Sequence, residues 1–362
     1  MEILGTNLLT AAAATSFVLT ALSVLLLLII LGIHQFENRR IRRGAEFRER
    51  ADPLVKAFLA GTASETETVA ELRKDPEATL NLLMELSPDL ETATRSRLRP
   101  LIVAFPFVQR ELAALKSWRW EARIRGAARL GYLGDTSVLQ SLMVALQDDV
   151  LAVRFAAARS IVALGCSDAV APILSALNMP GAVIHRRASE VLAGLGPLAT
   201  DPILSLLKKP AGRESDLAVA ARVAEMLQLT PAVPDLQTLL RHASVEVRIT
   251  SLRALAAIGD AAAILPISQL VHDPAWEVRN TAMQALGRMC ALKQIPLLLQ
   301  GLSDPSWWVR FSSAKALLST GQPGVDALMD ATEHHADKYG RDMSRQILQE
   351  RGLLVAAPEY HP

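Results

Sequence analysis

Asp273-Pro274-Ala275-Trp276-Glu277-Val278-Arg279 recurs 31 residues further along the chain as Asp304-Pro305-Ser306-Trp307-Trp308-Val309-Arg310. We call the last residue of this segment the marker, and its position can be followed through the sequence. This position falls at Arg123, Arg154, His185, Ala220, Arg248, Arg279, Arg310 and Arg341. The steps between these positions are 31, 31, 35, 28, 31, 31 and 31 residues. Such a period predicts an array of stacked repeats, because a unit of this size cannot bury its apolar face alone.

Each repeat is predicted to form a pair of helices. In the clearest copies Asp is the expected N-cap and Pro the first helical residue. Leu or Ile stands seven residues after most markers, and Gly stands eleven after six of them, where a left-handed helix end is expected. The second helix is indicated by an early proline in five repeats. These prolines are Pro172, Pro202, Pro234, Pro266 and Pro296.

The composition agrees with an all-α protein and excludes several functions. The chain has 362 residues, of which 51% are hydrophobic and only 4% aromatic. Lys and Arg number 38 against 37 Asp and Glu, so no overall charge would draw the chain onto nucleic acid. Its two cysteines, Cys166 and Cys290, are too few for a disulfide framework or a cysteine metal site.

The amino-terminal segment predicts a single transmembrane helix. Residues 3–33 contain neither a charged residue nor a proline, and they exceed the roughly 20 residues that a membrane span requires. Only Met1 and Glu2 precede them, so the basic start of a secretory signal is missing. A signal peptide and a buried core helix are the alternatives.

A basic flank follows the apolar segment and sets the expected topology. It contains Arg39, Arg40, Arg42 and Arg43. Positive residues mark the cytoplasmic side of a span, so the N-terminus is expected outside and the rest of the chain in the cytoplasm of an inner or plasma membrane. The flank is interpreted as a stop-transfer signal, with recognition of anionic lipid as the alternative.

The motifs D-P-x-W-x-V-R, A-x-x-A-L and G-D resemble the HEAT-repeat class, in particular the short HEAT-like repeats of the phycobilisome-lyase type. This resemblance implies an all-α fold, an α-solenoid of HEAT-like helix pairs preceded by the transmembrane helix. The predicted domains are residues 1–43, the anchor with its basic flank; 44–116, a helical cap or degenerate repeats; 117–355, the array; and 356–362, a tail. In the cap, helices are expected after Ser64, Asp75 and Ser87.

Acidic residues recur in register with the marker arginines. Asp148, Asp273 and Asp304 each lie six residues before Arg154, Arg279 and Arg310. A periodic acid–base pair predicts a ladder of charge-assisted hydrogen bonds that joins adjacent repeats. A stripe of arginines for phosphate binding is the alternative.

The tryptophans divide into two groups by their register. Trp120, Trp276 and Trp307 each lie three residues before a marker, and packing between repeats is predicted for them. Trp118 and Trp308 lie off that register and are the candidate interface residues.

No residue pattern predicts a catalytic, cofactor or metal site. His334 and His335 are adjacent and would point about 100° apart on a helix. HEAT-fold di-iron enzymes rely on His-Glu pairs, and the sequence has no His-Glu dipeptide. Cys290 takes a Gly slot and Cys166 directly follows one, so reactive thiols are not expected. No phosphate-binding loop, zincin helix or nucleophile elbow is present.

These features predict a membrane-anchored cytoplasmic scaffold or adaptor that binds a protein partner, itself associated with the membrane. No enzymatic activity and no cofactor are expected. The alternative is a bilin-lyase-like enzyme or cofactor-handling protein, since such proteins carry similar repeats. Nucleic-acid binding, as in HEAT-type alkylpurine glycosylases, is disfavoured by the near-neutral charge and the anchor.

Overall fold

The computed structural model describes residues 2–86, 97–133 and 136–354. Side chains are described from Leu22 onward, except those of residues 30, 33, 36–41 and 43. Over these ranges the chain forms α-helices and short 3-10 turns, and no strand. It divides into two compact units, Met1–Arg110 and Glu111–Pro362. The domain boundaries predicted after residues 43, 116 and 355 stay predictions.

The first unit is built around one long helix. Its helices are α1 (Glu2–Leu59), α2 (Glu65–Leu72), α3 (Pro76–Leu86) and α4 (Arg99–Val103), and α5 (Phe107–Leu115) continues into the second unit. The carboxyl-terminal part of α1 packs against α2 and α3. Their fully buried apolar side chains include Ala51, Val55, Leu72 and Leu80.

Two of the three helix starts predicted for the cap lie in described residues. Helix α2 begins directly after Ser64, but the Ser64 side chain makes no capping hydrogen bond and pairs instead with the Thr66 hydroxyl. The helix start is therefore as predicted, but Ser64 does not cap it with its side chain. Asp75 does cap α3, since its carboxylate accepts from the Ala78 N–H at 3.0 Å. The start predicted at Ser87 lies outside the described residues.

The second unit alternates a longer helix A with a shorter helix B. The A helices are α6 (Trp120–Leu133), α8 (Leu151–Ala163), α10 (Ala182–Ala193), α12 (Glu214–Leu227), α14 (Val245–Ile258), α16 (Trp276–Arg288), α18 (Trp307–Ser319) and α20 (Lys338–Glu350). The B helices are α7 (Leu139–Ala145), α9 (Val170–Ala176), α11 (Thr200–Leu207), α13 (Val233–Leu239), α15 (Ile264–Gln269), α17 (Ile295–Gln300) and α19 (Gln322–His334). Consecutive A helices pack side by side, so this unit is the predicted solenoid of helix pairs.

Small residues let neighbouring A helices approach closely. A Cβ atom at Gly131 would lie 2.7 Å from the Cα of Ser160 in the next A helix, and one at Gly287 would lie 2.7 Å from the Cα of Ala316. The core between the helices is formed by the Leu or Ile seven residues after the marker. Leu130, Ile161, Leu192, Leu255, Leu286, Leu317 and Leu348 are all fully buried.

The fourth repeat corrects the predicted register. Every other A helix begins three residues before its marker, but α12 begins at Glu214, so the marker slot is Leu217 and not Ala220. The corrected steps of 32 and 31 residues remove the irregular pair. The prediction failed because this repeat has neither the marker Arg nor the Gly. Its Gly slot holds Gln228, which adopts the left-handed conformation at φ 50°.

The predicted left-handed helix ends occur at the Gly slot, the position eleven residues after the marker. Positive φ is found at Gly165, Gly196, Gly259, Gly321 and Gly352, whereas Gly134 lies outside the described residues. Cys290 occupies the same slot with φ 48°, although it is not a glycine. Repeat geometry therefore imposes this conformation even where the side chain disfavours it.

The helix start predicted at Asp-Pro is wrong by two residues. Helices α16 and α18 begin at Trp276 and Trp307, and their N-cap positions are Ala275 and Ser306. The Asp304 carboxylate instead accepts a hydrogen bond from the Ser306 N–H at 2.8 Å, closing a turn that precedes the helix. This turn also aims the carboxylate away from its own helix.

No single helix within the described residues is both long and apolar enough to qualify as a membrane span, and one pair bent by 117°, Ala182–Ala193 with Gly196–Leu207, qualifies by length and composition only. The transmembrane helix predicted for residues 3–33 is thus not supported by this criterion. These residues form part of the continuous helix α1.

Candidate protein-binding surface

Among the described residues, the marker arginines Arg123, Arg248 and Arg279 each pair with an aspartate of the following repeat, whereas Arg154 and Arg310 bond backbone carbonyls and no carboxylate. The Arg279 guanidinium donates from Nε to Asp304 Oδ2 at 2.7 Å and from Nη2 to Oδ1 at 3.0 Å. Arg123 makes the same two-pronged contact with Asp148, at 2.8 and 2.9 Å. Each aspartate lies 25 residues after its arginine in the sequence, in the turn before the next A helix.

The arginine also closes its own repeat. Arg279 Nη1 donates to the carbonyl of Asp273 at 2.9 Å, and Arg310 Nη1 donates to that of Asp304 at 2.7 Å. The Asp six residues before a marker therefore contributes its backbone to its own repeat. Its carboxylate accepts a hydrogen bond from the marker arginine of the preceding repeat. Arg248 Nη2, for example, donates to Asp273 Oδ1 at 2.8 Å.

The environment of the pairs favours their charged forms. Burial acts to raise the pKa of Asp148, but hydrogen bonds from Arg123 and from the Val150 N–H outweigh it and hold that pKa below its ordinary value. The hydrogen bond to Asp304 raises the pKa of Arg279 despite its partial burial. The hydrogen bond to Asp148 likewise raises the pKa of Arg123, so Arg123 and Asp148 form an ion pair near neutral pH.

The ladder has no carboxylate in the middle of the array. Met179 occupies the position 25 residues after Arg154, where three other markers have the ladder aspartate. Arg154 Nη1 donates to the Ala176 carbonyl at 2.9 Å, and Nη2 contacts Met179 Sδ at 3.2 Å. In the third repeat His185 replaces the arginine, and its Nδ1 lies 3.1 Å from Glu246 Oε1 of the fifth repeat. The sequence placed Asp148 with Arg154 in one pair, and the structure assigns them to different contacts.

The carboxyl-terminal repeats carry a cluster of exposed aromatic side chains. Trp307 stacks on Phe311 with ring centres 4.9 Å apart and meets Trp308 edge to face at 4.9 Å. Tyr339 of the next A helix lies under the Arg310 guanidinium at 5.2 Å. Trp308 is 56% exposed and Tyr339 64% exposed. We call Trp307, Trp308, Phe311 and Tyr339 the aromatic cluster.

The tryptophans predicted to pack between repeats are not buried. Trp120, Trp276 and Trp307 retain 40–48% exposure, whereas Val278 and Val309 in the same first turns are fully buried. Trp118, the other predicted interface residue, is 88% exposed and lies 5.7 Å from the Arg119 guanidinium. The structure does not place Trp118 with the aromatic cluster.

Sequence reasoning did not select Phe311 and Tyr339. The signal was present for Tyr339, which stands two residues before Arg341 as Trp308 stands two before Arg310. Phe311 lies four residues after Trp307, so both occupy one side of α18. Lys315, four residues further, places its ammonium 4.6 Å from the Phe311 ring centre.

The basic flank and the adjacent histidines were the other residues singled out in the sequence. Arg42 is an exposed residue of α1, whereas the side chains of Arg39, Arg40 and Arg43 lie outside the described residues. His334 pairs with Asp330, and His335 contacts the Leu299 carbonyl. In the part of the chain that the structure describes, no three His, Cys, Asp or Glu side chains come together as a metal site.

Comparison with protein families identifies the repeats. Residues 109–193 and 265–349 match HEAT repeats, and residues 247–273 match the PBS lyase HEAT-like repeat. These stretches of the helix-pair array are therefore similar to HEAT repeats. No curated protein matches the chain.

Several solved structures resemble the chain at low identity. Kap121p bound to Pho4p is 14% identical, with a TM-score of 0.46 over 75% of this chain and 39% of that one. The complex of CpcE and CpcF of phycocyanin lyase from Nostoc sp. PCC7120 is 17% identical, with a TM-score of 0.31 over 68% of this chain and 94% of that one. Human deoxyhypusine hydroxylase in complex with glycerol is 16% identical, with a TM-score of 0.29 over 84% and 96%.

Proposed function

We propose that this protein is a membrane-anchored cytoplasmic scaffold whose HEAT-repeat solenoid binds another membrane-associated protein. The observation that carries the proposal is the aromatic cluster. Trp307 contacts both Trp308 and Phe311, and the rings of Trp307, Trp308 and Tyr339 are exposed to solvent. Such aromatic surface is costly to leave uncovered, and aromatic residues with arginine are enriched at protein interfaces. A row of helix ends offers a long and shallow contact, which suits a protein partner better than a small molecule.

The proposed anchor is supported by the apolar part of helix α1. Eight of its large side chains remain 47–60% exposed, namely Leu22, Val24, Leu25, Leu26, Leu27, Leu28, Ile29 and Leu31. Contiguous exposed apolar surface on this scale requires a cover, and a bilayer would provide one. The four arginines at 39, 40, 42 and 43 would then lie on the cytoplasmic side.

Topology can be tested by cysteine labelling in intact cells. In a background of Cys166→Ser and Cys290→Gly, Thr6→Cys is expected to react with a membrane-impermeant maleimide and Gly61→Cys is not. The reverse pattern would place the array outside the cytoplasm. Labelling of both sites in intact cells would argue against any insertion.

Anchoring would strengthen a weak contact. Confinement to the membrane raises the effective concentration of the array toward other membrane proteins, so a partner could be bound through a small surface. For this reason we place the partner at the membrane rather than in the bulk cytoplasm.

The binding role is tested with Trp308→Ala in the full chain. We expect co-purification of a crosslinked partner from native membranes to fall more than tenfold, equal to about 1.4 kcal/mol, with an unchanged thermal melt. Leu265→Ala is the matched control, since Leu265 is an exposed side chain of helix B, 69% accessible. Equal partner recovery from both variants would contradict the proposal, and a collapsed melt for Trp308→Ala would make it a packing residue.

The alternative, a bilin-lyase-like or cofactor-handling protein, is favoured by the PBS lyase HEAT-like repeat at residues 247–273. The purified protein distinguishes the two functions by its absorbance spectrum. A visible band after incubation with a bilin would support the alternative, and its absence together with a Trp308-dependent partner would support the scaffold.

A further inference from the structure

A surface cleft of the array is lined by residues of the first three repeats and lies away from the aromatic cluster. Its volume is about 610 Å³, within the range of roughly 300–1,000 Å³ that is typical of ligand sites. It is lined by the A helices α6, α8 and α10.

The floor of this cleft is apolar. Ile124, Phe155, Val162 and Val191 line it, and the first, second and fourth of these are partly exposed. Phe155 lies one residue after the marker Arg154, on the outer side of its helix. An apolar floor that opens to solvent favours burial by an apolar partner surface.

The walls of the cleft carry positive charge. Arg159 of α8 and Arg187 of α10 both line it, and both are exposed. Within the described residues neither guanidinium has a hydrogen bond or ion pair. Glu190 also lines the cleft, but it lies 3.7 Å from Arg186. Two arginines without partners, on neighbouring helices, complement two carboxylates rather than one.

We infer that this cleft binds an acidic amphipathic helix of the partner, with apolar side chains on Phe155 and Val162 and carboxylates on Arg159 and Arg187. This inference rests on the proposed binding function and adds the chemistry of the partner. A helix presents apolar residues on one side and acids along its edges, as the floor and walls require. A fatty acid has a single carboxylate, and a polyphosphate would meet Glu190 without any apolar contact.

The test measures fluorescence anisotropy of a labelled helical peptide of about 16 residues, with leucine on one face and glutamate at both edges, added to the full chain in detergent micelles. A second peptide has lysine in place of each glutamate. We expect the double variant Arg159→Glu/Arg187→Glu to bind the acidic peptide at least tenfold more weakly and the lysine peptide at least tenfold more tightly. Ala152→Trp, which fills the cleft without a charge change, should also weaken acidic-peptide binding at least tenfold.

The control is Arg253→Glu/Arg288→Glu, the same charge change at a smaller cleft of about 250 Å³ whose apolar lining is limited to alanine. Its affinities for the acidic and the lysine peptide are expected to stay within twofold of those of the unsubstituted protein. No binding of the acidic peptide, an equal effect of the control, or retention of oleate in place of the peptide would overturn the inference. Dimerisation abolished by Ala152→Trp would assign the cleft to a second copy and also overturn it. If this test fails while Trp308→Ala still reduces partner recovery, only the cleft inference is overturned and the scaffold proposal is retained.

Discussion

Removal of Arg279 is expected to cost roughly 2 to 3 kcal/mol of stability. Arg279→Ala deletes both hydrogen bonds to Asp304, whose side chain is only 10% exposed, and leaves that carboxylate without its cation. A hydrogen bond to a charged group contributes about 1.5–3 kcal/mol, and a broken buried pair costs about 3–5 kcal/mol. The cost should fall below that upper range because Asp304 keeps the Ser306 N–H, and because the freed carbonyl of Pro274 faces solvent.

The assay is urea unfolding of the full chain in detergent micelles, followed by circular dichroism, on Arg279→Ala, Asp304→Ala and the double variant. The coupling energy of this cycle should be roughly 1–3 kcal/mol. Arg253→Ala is the matched control, since Arg253 is exposed and makes no hydrogen bond or ion pair among the described residues; it should change stability by less than about 0.5 kcal/mol. A coupling below about 0.5 kcal/mol, or equal losses for Arg279→Ala and Arg253→Ala, would refute the structural role of the ladder.

Three further outcomes are expected. Cys290→Gly should stabilise the chain by up to about 1 kcal/mol in the same assay, since Cys290 holds a left-handed φ of 48°; destabilisation would mean that its Sγ contact with the Ser319 carbonyl matters more. Gly287→Ala should destabilise by about 1–3 kcal/mol despite better helix propensity, because the new Cβ would lie 2.7 Å from Ala316 Cα; a higher melting temperature would show that the helices can separate freely. The lowered pKa of Asp148 gives stability that is present above its unfolded pKa of about 3.9 and lost as pH falls through the folded value, so Asp148→Asn should flatten the acid side of the stability profile, and parallel profiles would contradict this.

The periodic residues made the repeat fold predictable from the sequence. The marker Arg, the Leu seven residues later and the Gly eleven residues later are all fixed by the helix pair, so they set its register wherever they are present. Where Leu217 and Gln228 replaced them, the register slipped by three residues. Residues that break the pattern for local reasons cannot be placed by the pattern itself.

The contacts between repeats were harder to predict. The six-residue spacing of Asp273 and Arg279 predicted a ladder that joins adjacent repeats, and only the turn geometry directs each carboxylate to the preceding repeat. In the aromatic cluster, Trp308 stood out in the sequence, and Phe311 lies four residues after Trp307 on the same helix. Tyr339 lies on the next A helix and meets Arg310 only after the helices stack. The cleft at Phe155 has no sequence signal.

The most direct test of the scaffold proposal is site-specific photocrosslinking in living cells. A photoreactive phenylalanine analogue at position 308 or 339 of the full chain is expected to give one discrete adduct with another protein in the membrane fraction. The same analogue at position 265 is expected to give none. No adduct at 308 and 339, or equal adducts at all three positions, would contradict a binding surface at the aromatic cluster.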